Sequence, residues 1–275
     1  MIILGARESG VGAAILAVQK GYTVFVSDEG KIQEKYRRLL DEKGIEYEEG
    51  RHSEERILSG MEVVKRPGIP EKNAMVKLIR TKGIPVISEI ELAFRYKGKS
   101  RIVGITGSNG KTTTTSLTYQ ICKQADLDCA MVGNIGISFA RQVAEDPKPW
   151  YIAEISSFQL DDIKTFRPDI AILTNITEDH LDRYDYRFEN YIRSKLSIVK
   201  YQAAGDFFIY NEDDPVIKEN LNRYPFQSNP LPITMQQEPN QGGFIRNGRM
   251  TLKSGSETVE MSIYDFALKG IHNQY

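Results

Sequence analysis

Short apolar runs alternate with longer amphipathic stretches along almost the whole chain. Ile2-Ile3-Leu4 is the first run. Gly5-Ala6-Arg7-Glu8-Ser9-Gly10 follows, and a helical pattern continues through Ala17, Val18 and Lys20. Residues 22–26 read as a second strand, closed by Ser27-Asp28. Strand, glycine turn, helix, strand is the opening βαβ unit of a doubly wound sheet. Next come an exposed helix over 31–43, a buried strand at Glu62-Val63-Val64, a Pro67-Gly68-Ile69-Pro70 turn and a helix over 73–82. Residues 84–87 give another strand, and Ser88-Glu89-Ile90-Glu91 opens a short helix with the look of a capping box. Lys97-Gly98-Lys99 has linker composition. The pattern therefore predicts a Rossmann-like parallel-sheet domain at 1–97 and a second α/β domain at 98–275.

The second half repeats the alternation. A buried strand over 102–106 runs into a glycine turn and a helix over 111–125. Strands follow at 129–132, 150–154 and 168–173. The first of these leads into Gly133-Asn134-Ile135-Gly136, the second ends in Glu154, and the third is followed by Thr174-Asn175 and Glu178-Asp179-His180-Leu181-Asp182-Arg183. Strands alternating with helices predict a parallel sheet whose ligands bind beyond the strands' carboxyl ends. Lys111, Asn134, Glu154 and His180 all fall at such ends. Phe188, Tyr191, Ile192, Leu196 and Val199 recur at helical spacing, and Lys195 falls on the same apolar face. A lysine there either snorkels at the helix edge or belongs to a cleft that neutralises it. A strand over 206–209, a turn over 211–215 and one hairpin, with strands at 243–253 and 257–263 joined by Ser254-Gly255-Ser256, complete the pattern.

Composition narrows the function classes. At 275 residues the chain can bury two cores, and its formal charge of −1 gives no electrostatic case for nucleic acid or for a membrane surface. Cys122 and Cys129 are too few for a disulfide framework and lack metal-ligand spacing, so both read as small core residues in a reducing compartment. There is no spanning apolar run and no signal peptide ahead of the first strand, and a cytoplasmic location is expected.

The most specific chemistry lies in Arg101–Thr115, RIVGITGSNGKTTTT. Strand, glycine turn, Lys-Thr and helix make a phosphate-binding loop. Glycines let backbone N–H groups converge, Lys111 reaches the outer phosphates, and Thr112 offers a hydroxyl to Mg²⁺. The early glycine of the general pattern falls at Ile105 and is found instead at Gly107, so the loop is a variant. The bland reading is a helix with a glycine-rich entry and no ligand; the order of elements favours a nucleotide. Near the N-terminus, Asp28 closes strand two as either a ribose holder or a turn aspartate. The glycine fingerprint before it is interrupted by Arg7.

These residues together resemble the Mur ligases of peptidoglycan synthesis. The carriers are TGSNGKTTTT (106–115), GNIG (133–136), EISSFQL (154–160), TNITEDHLDRY (174–184), the RSKL lysine (193–196) and GIHN (270–273). EISSFQL points, within the family, to the branch that adds D-glutamate. The resemblance implies an N-terminal Rossmann-like domain for a UDP-sugar, then a central P-loop ATPase-type α/β domain with an added β-hairpin. A third, C-terminal domain falls outside this chain, which is then expected to be inactive alone and monomeric.

The implied reaction is ATP-dependent: the alanine carboxylate of UDP-N-acetylmuramoyl-L-alanine becomes an acyl phosphate, which the amine of D-glutamate attacks. The resemblance places ATP on Gly107, Ser108, Asn109, Gly110, Lys111, Thr112 and Thr113, with Asn273 at the adenine. It assigns Mg²⁺ to Thr112, Glu154 and His180, and a CO₂-derived carbamate to Lys195; Lys111, His180 and Lys195 are the catalytic set. The UDP-substrate falls to Ser9, Gly10, Asp28, Asn134, Ser156, Gln159 and Arg183.

Two positions depart from the family pattern. Arg7 stands where the first loop has glycine, and Arg66 where the S-P-G-I turn has serine. An arginine at a close-approach position crowds a diphosphate and gives up glycine's φ freedom, although a guanidinium could also pair with phosphate; weakened UDP-substrate binding is expected. Competing readings are a folylpolyglutamate synthase, disfavoured by the N-terminal βαβ domain and EISSFQL, and a nucleotide-binding module without activity. An oxidoreductase has no use for residues 101–115.

Overall fold

The computed structural model describes residues 1–265; Asn273 and the rest of GIHN lie outside them. The chain divides into two compact units, Met1–Arg101 with Thr115–Phe166, and Ile102–Thr114 with the residues from Arg167 onward. In chain order the elements are β1 (Ile2–Leu4), α1 (Glu8–Gln19), β2 (Phe25–Asp28), α2 (Glu34–Glu42), β3 (Glu46–Glu49), α3 (Glu54–Leu58), β4 (Val63–Lys65), α4 (Ala74–Thr81), β5 (Val86–Ser88) and α5 (Glu89–Tyr96). They continue as β6 (Arg101–Thr106), α6 (Lys111–Gln124), β7 (Cys129–Gly133), α7 (Phe139–Glu145), β8 (Trp150–Glu154), α8 (Ser157–Leu160), β9 (Ile170–Leu173) and α9 (Phe188–Leu196). The last are β10 (Phe207–Asn211), α10 (Pro215–Asn220), β11 (Asn229–Thr234), β12 (Gly242–Arg246), β13 (Arg249–Ser254) and β14 (Glu257–Ser262). The fold is α/β, as the alternation predicts.

In the first unit five parallel strands run in the order β3-β2-β1-β4-β5. The order reverses at β1, so the loops after β1, β2 and β4 open together at the carboxyl edge, where doubly wound sheets take ligands. Both faces are covered, as a parallel sheet requires. Ile2, Leu4, Phe25, Val63 and Val86 pack with Ile57, Val76 and Ile79 of the helices. Helix α1 is buried from Gly10 to Ala17. A Cβ on Gly12 would stand 1.9 Å from Ser138 Oγ, so the glycine is what lets α1 approach α7 this closely. The same unit contains the parallel pair β7–β8.

The second unit is a parallel run β6-β9-β10-β11-β12 extended antiparallel by β13 and β14. Residues 243–253, read from sequence as one strand, are two. Asn247 and Gly248 take φ of 51° and 73°, a two-residue turn that pairs Arg246 with Arg249. Three strands therefore stand where one hairpin was expected. β11 was not anticipated because Pro230 and Pro232 interrupt it. It is tolerated because β12 pairs only with Ile233 and Thr234, leaving the prolines outside that ladder. β3, Glu-Tyr-Glu-Glu, has no apolar alternation and lies at the sheet edge. Strand two begins at Phe25 rather than Tyr22, since Tyr22 N–H is spent on Ala17 O at the end of α1. Cys129 is buried and Cys122 half-buried, both as free thiols.

Helix α5 brings two buried carboxylates into the first unit. Burial alone would raise the Glu91 carboxyl, but it accepts from Thr165 Oγ1 at 2.7 Å and from the N–H groups of Lys164, Thr165 and Phe166 at 2.8–2.9 Å. Those bonds outweigh burial and hold it below the usual carboxylate range. Glu89, 1% exposed, accepts, among the described residues, only from Ala140 N–H at the start of α7. Burial pushes Glu89 from 4.5 up to about 7, with the nearby Glu8 carboxylate adding to the shift. The native state thus holds the Glu89 proton more tightly than the unfolded chain does. Its stabilising effect is complete below about pH 4.5 and is lost as pH rises through about 7. Glu89→Gln should therefore gain stability relative to wild type between pH 5 and pH 8, by up to about 3 kcal/mol. Urea midpoints at the two pH values measure it, and parallel pH slopes for the two proteins would exclude the shift.

Candidate functional site

Strand β6 ends at Thr106, and the chain then turns through Gly107 (φ 150°) and Gly110 (φ 81°) into the first turn of α6. A Cβ on Gly107 would lie 1.9 Å from Thr174 Oγ1, so only glycine fits against the segment that follows β9. That segment grips the loop by its backbone. Ser108 N–H donates to Asn175 O at 2.9 Å, and Asn109 N–H to Asn175 Oδ1 at 2.8 Å. Asn109 O accepts from Thr174 Oγ1 at 2.7 Å and from Asn175 Nδ2 at 3.0 Å. Buried Ser108 donates to Thr177 O and accepts from Thr177 N–H, both at 2.9 Å. Lys111 folds back over the turn, with Nζ 2.8 Å from the carbonyls of both Gly107 and Ser108. An ammonium resting on neutral carbonyls at a helix N-terminus is placed to transfer to phosphate oxygens. Thr112 and Thr113 are exposed in the first turn of α6.

Lys195 is 2% exposed, as its apolar face predicts, and its Nζ lies 4.7 Å from the centre of the Tyr191 ring. Tyr191 OH reaches Ser108 Oγ at 3.1 Å, which ties α9 to the loop. His180 is exposed rather than a core histidine, with Nε2 3.4 Å from Asp179 Oδ2. Its backbone is left-handed, φ 50° and ψ 30°, and it starts a single helical turn that contains Arg183. A non-glycine residue in that region marks a constrained segment. Thr174, Asn175, Thr177 and Tyr191 hold the loop although none was expected as a site residue; the first three lie in the polar run directly after β9, and Tyr191 was legible only as part of the apolar face of α9.

The remaining expected residues lie in the first unit. Asn134 Nδ2 donates to Glu154 Oε1 at 2.8 Å, and Asn134 N–H to Glu154 O at 2.9 Å, so the amide and the 1%-exposed carboxylate form one group. Gln159 is buried; its Oε1 accepts from Ser156 N–H at 2.9 Å and from Ser156 Oγ at 3.0 Å, capping α8. Among the described residues no group of three or more His, Cys, Asp and Glu gathers to hold a metal.

A cleft of about 500 Å³ opens at the carboxyl edge of the five-stranded sheet, where Gly5, Arg7, Asp28, His52 and Arg66 line it. Ser9 and Gly10 are set back in the first turn of α1 and do not line it. Asp28 closes the loops: Oδ2 accepts from Ala6 N–H at 2.7 Å and Oδ1 from Gly30 N–H at 2.9 Å. Arg7 has extended backbone, φ −97° and ψ −169°, so no glycine conformation is needed there, and the φ part of the sequence argument does not hold. The positive φ falls at Gly5, 90°, and the Arg66 side chain lies across that turn, its Cβ and Nε 2.9 Å from where a Cβ on Gly5 would stand.

Comparison with known proteins agrees with both halves. A model of the Mur ligase middle domain matches residues 105–275, and one of the MurD N-terminal domain matches residues 7–75. The UDP-N-acetylmuramoylalanine–D-glutamate ligase of Christiangramia forsetii is 46% identical over 273 residues, covering 99% of this chain and 61% of that protein. That of Bacteroides fragilis is 47% identical over 275 residues, covering 100% and 62%. The chain thus spans about three-fifths of the length of these relatives. Among solved structures, the UDP-N-acetylmuramate:L-alanyl-gamma-D-glutamyl-meso-diaminopimelate ligase from Neisseria meningitides has a TM-score of 0.64 at 19% identity, over 99% of this chain and 89% of that one. A murein peptide ligase from Psychrobacter arcticus has a TM-score of 0.59 at 17% identity, over 99% and 62%. At these identities the two structures speak for the fold alone. The match over residues 105–275, which begins at the loop described above, settles the family: the chain belongs to the Mur ligases.

Proposed function

We propose that this chain carries the UDP-sugar-binding and ATP-binding parts of a ligase that joins D-glutamate to UDP-N-acetylmuramoyl-L-alanine. The observation that carries the reading is the phosphate loop at 107–112, gripped through its backbone and with Lys111 already gathered over it. Its support as this particular ligase is the 46–47% identity along the whole chain to proteins of that name. The two family models fall on either side of the proposed boundary between 1–97 and 98–275.

In the proposed reaction a carboxylate oxygen of the alanyl group attacks the terminal phosphorus of ATP, and the bond to ADP breaks. The amine of D-glutamate then attacks the acyl carbon, phosphate leaves with the C–O bond electrons, and the ammonium loses a proton. Within this chain, Lys111 and the loop N–H groups hold the phosphates and offset the charge that develops on their oxygens. Gly107, Ser108, Asn109, Gly110, Thr112 and Thr113 complete the ATP contacts, and Asn273 is assigned to adenine. Thr112, Glu154 and His180 are the residues for Mg²⁺, which when bound supplies further neutralisation. Lys195 is the position for a carbamate, which would replace a buried ammonium by a carboxylate. Asn134, Ser156, Gln159 and Arg183 are assigned to the muramoyl-alanine end, and Ser9, Gly10 and Asp28 to the nucleotide end. A monomer working in the cytoplasm fits this role. Among the described residues no helix is long and apolar enough to cross a membrane.

Calorimetric titration of Mg-ATP into the chain should show saturable binding that weakens tenfold or more in Lys111→Ala. Gly107→Ala should weaken it as well and should lower the urea midpoint, by about 2 kcal/mol, because Thr174 must give way. Unchanged ATP affinity in both variants would remove the loop from the reading. UDP-N-acetylmuramoyl-L-alanine should bind about tenfold more tightly to Arg66→Ser than to wild type, since the arginine crosses the turn a diphosphate must approach. Weaker binding by Arg66→Ser would instead assign the guanidinium to the diphosphate.

A further inference from the structure

The cleft beside Gly5 contains a second ordered group that the assigned reaction does not use. Ser27, the third residue of β2, is fully buried and donates its hydroxyl to Glu48 Oε1 of β3 at 2.7 Å. Its Oγ also lies 2.6 Å from His52 Nδ1. Glu48 further accepts from Ser53 N–H at 2.7 Å and from the Ser53 hydroxyl. Burial alone would raise its carboxyl, yet these bonds and the nearby Arg51 hold it below the usual range. An ionised carboxylate only accepts, so the single Ser27 proton is committed to it. Ser27 Oγ can then only accept from the imidazole, which places a proton on Nδ1 of His52. In the neutral ring Nε2 is a bare acceptor, and it is the one polar atom of the side chain that the relay leaves uncommitted. His52 is half-buried and lines the cleft together with Asp28, Lys31 and Arg66.

We propose that His52 is a specificity-determining residue of this cleft, oriented by Glu48 through Ser27 so that Nε2 accepts a hydrogen bond from the imide N–H of a bound uridine nucleotide. The proposal rests on the reading of the cleft as the UDP-sugar site. The bases whose edge offers only acceptors at that point gain nothing from such a group, so it favours one nucleoside over others. Glu48 and Ser27 are positioning residues: they fix the tautomer and the ring plane and touch no ligand.

Two amide variants separate ligand contact from architecture. In His52→Asn the side-chain NH₂ replaces Nδ1–H and keeps the bond to Ser27, while the Nε2 position is lost. His52→Gln extends an amide to the Nε2 position. With UDP as the calorimetric probe, His52→Asn should bind about tenfold more weakly than wild type at an unchanged melting temperature, and His52→Gln should recover most of the affinity. Nitrogen-15 NMR of the ligand-free chain should show a proton on Nδ1 of His52. Wild-type-like UDP binding by His52→Asn, or an Nδ1 without a proton, overturns the proposal while leaving the cleft's nucleotide reading intact. Absence of UDP binding by wild type overturns the nucleotide reading of the cleft, and this ligand assignment with it.

Discussion

The turn at 107–112 keeps its shape because a neighbouring strand end satisfies its backbone. A glycine-rich turn at a helix start has N–H and C=O groups that no regular ladder can pair. Here Asn175 supplies a carbonyl, a side-chain oxygen and a side-chain NH₂ to two successive loop residues, and Thr174 and Thr177 add four more bonds. Lys111 Nζ rests on two carbonyls of the same turn. Held this way, the turn would have less ordering left to do on binding phosphate in the proposed function. The contact distance at Gly107 follows from the same constraint: gripping the turn this closely leaves no room for a Cβ.

The first unit solves a related problem with carboxylates. Residues 164–166 present three successive N–H groups, and Glu91 takes all of them; the start of α7 receives Glu89, and Ser138 N–H reaches Glu8 Oε1 at 3.3 Å. The two α5 carboxylates are chemically alike and separated by one residue, yet their environments push them in opposite directions. Glu91 is fully bonded and stays ionised, whereas Glu89 has one donor and titrates near neutrality. Hydrogen-bond supply, rather than burial itself, decides the sign.

These features were legible in the sequence to different degrees. The stretch from β6 to α6 was readable because apolar run, glycines, Lys-Thr and helix are contiguous, and every local preference agrees with the final structure. β3 and β11 were not, because an edge strand needs no apolar alternation and two prolines within a six-residue run argue against a strand. The Asn247-Gly248 turn was readable in principle, since that dipeptide between two extended segments is a strong hairpin signal. The grip of Thr174 and Asn175 on the loop, 65–69 residues away in sequence, could not be read from spacing. Nor could Ser27, Glu48 and His52, which no short motif links. Side-chain to backbone contacts across strand ends are set by sheet order, and sheet order is a global property.

Arg66 shows why a departure from a family pattern needs geometry before it has a meaning. By sequence alone, Arg7 and Arg66 were equivalent obstacles at two close-approach positions. In the structure they differ. Arg7 stands at the start of α1 with ordinary extended backbone and an exposed side chain, so its presence costs the fold nothing and leaves the turn free. Arg66 has its side chain folded across Gly5 and toward Gly68, on the surface the turn would otherwise offer to a ligand. A ligand entering there must displace a guanidinium or use it.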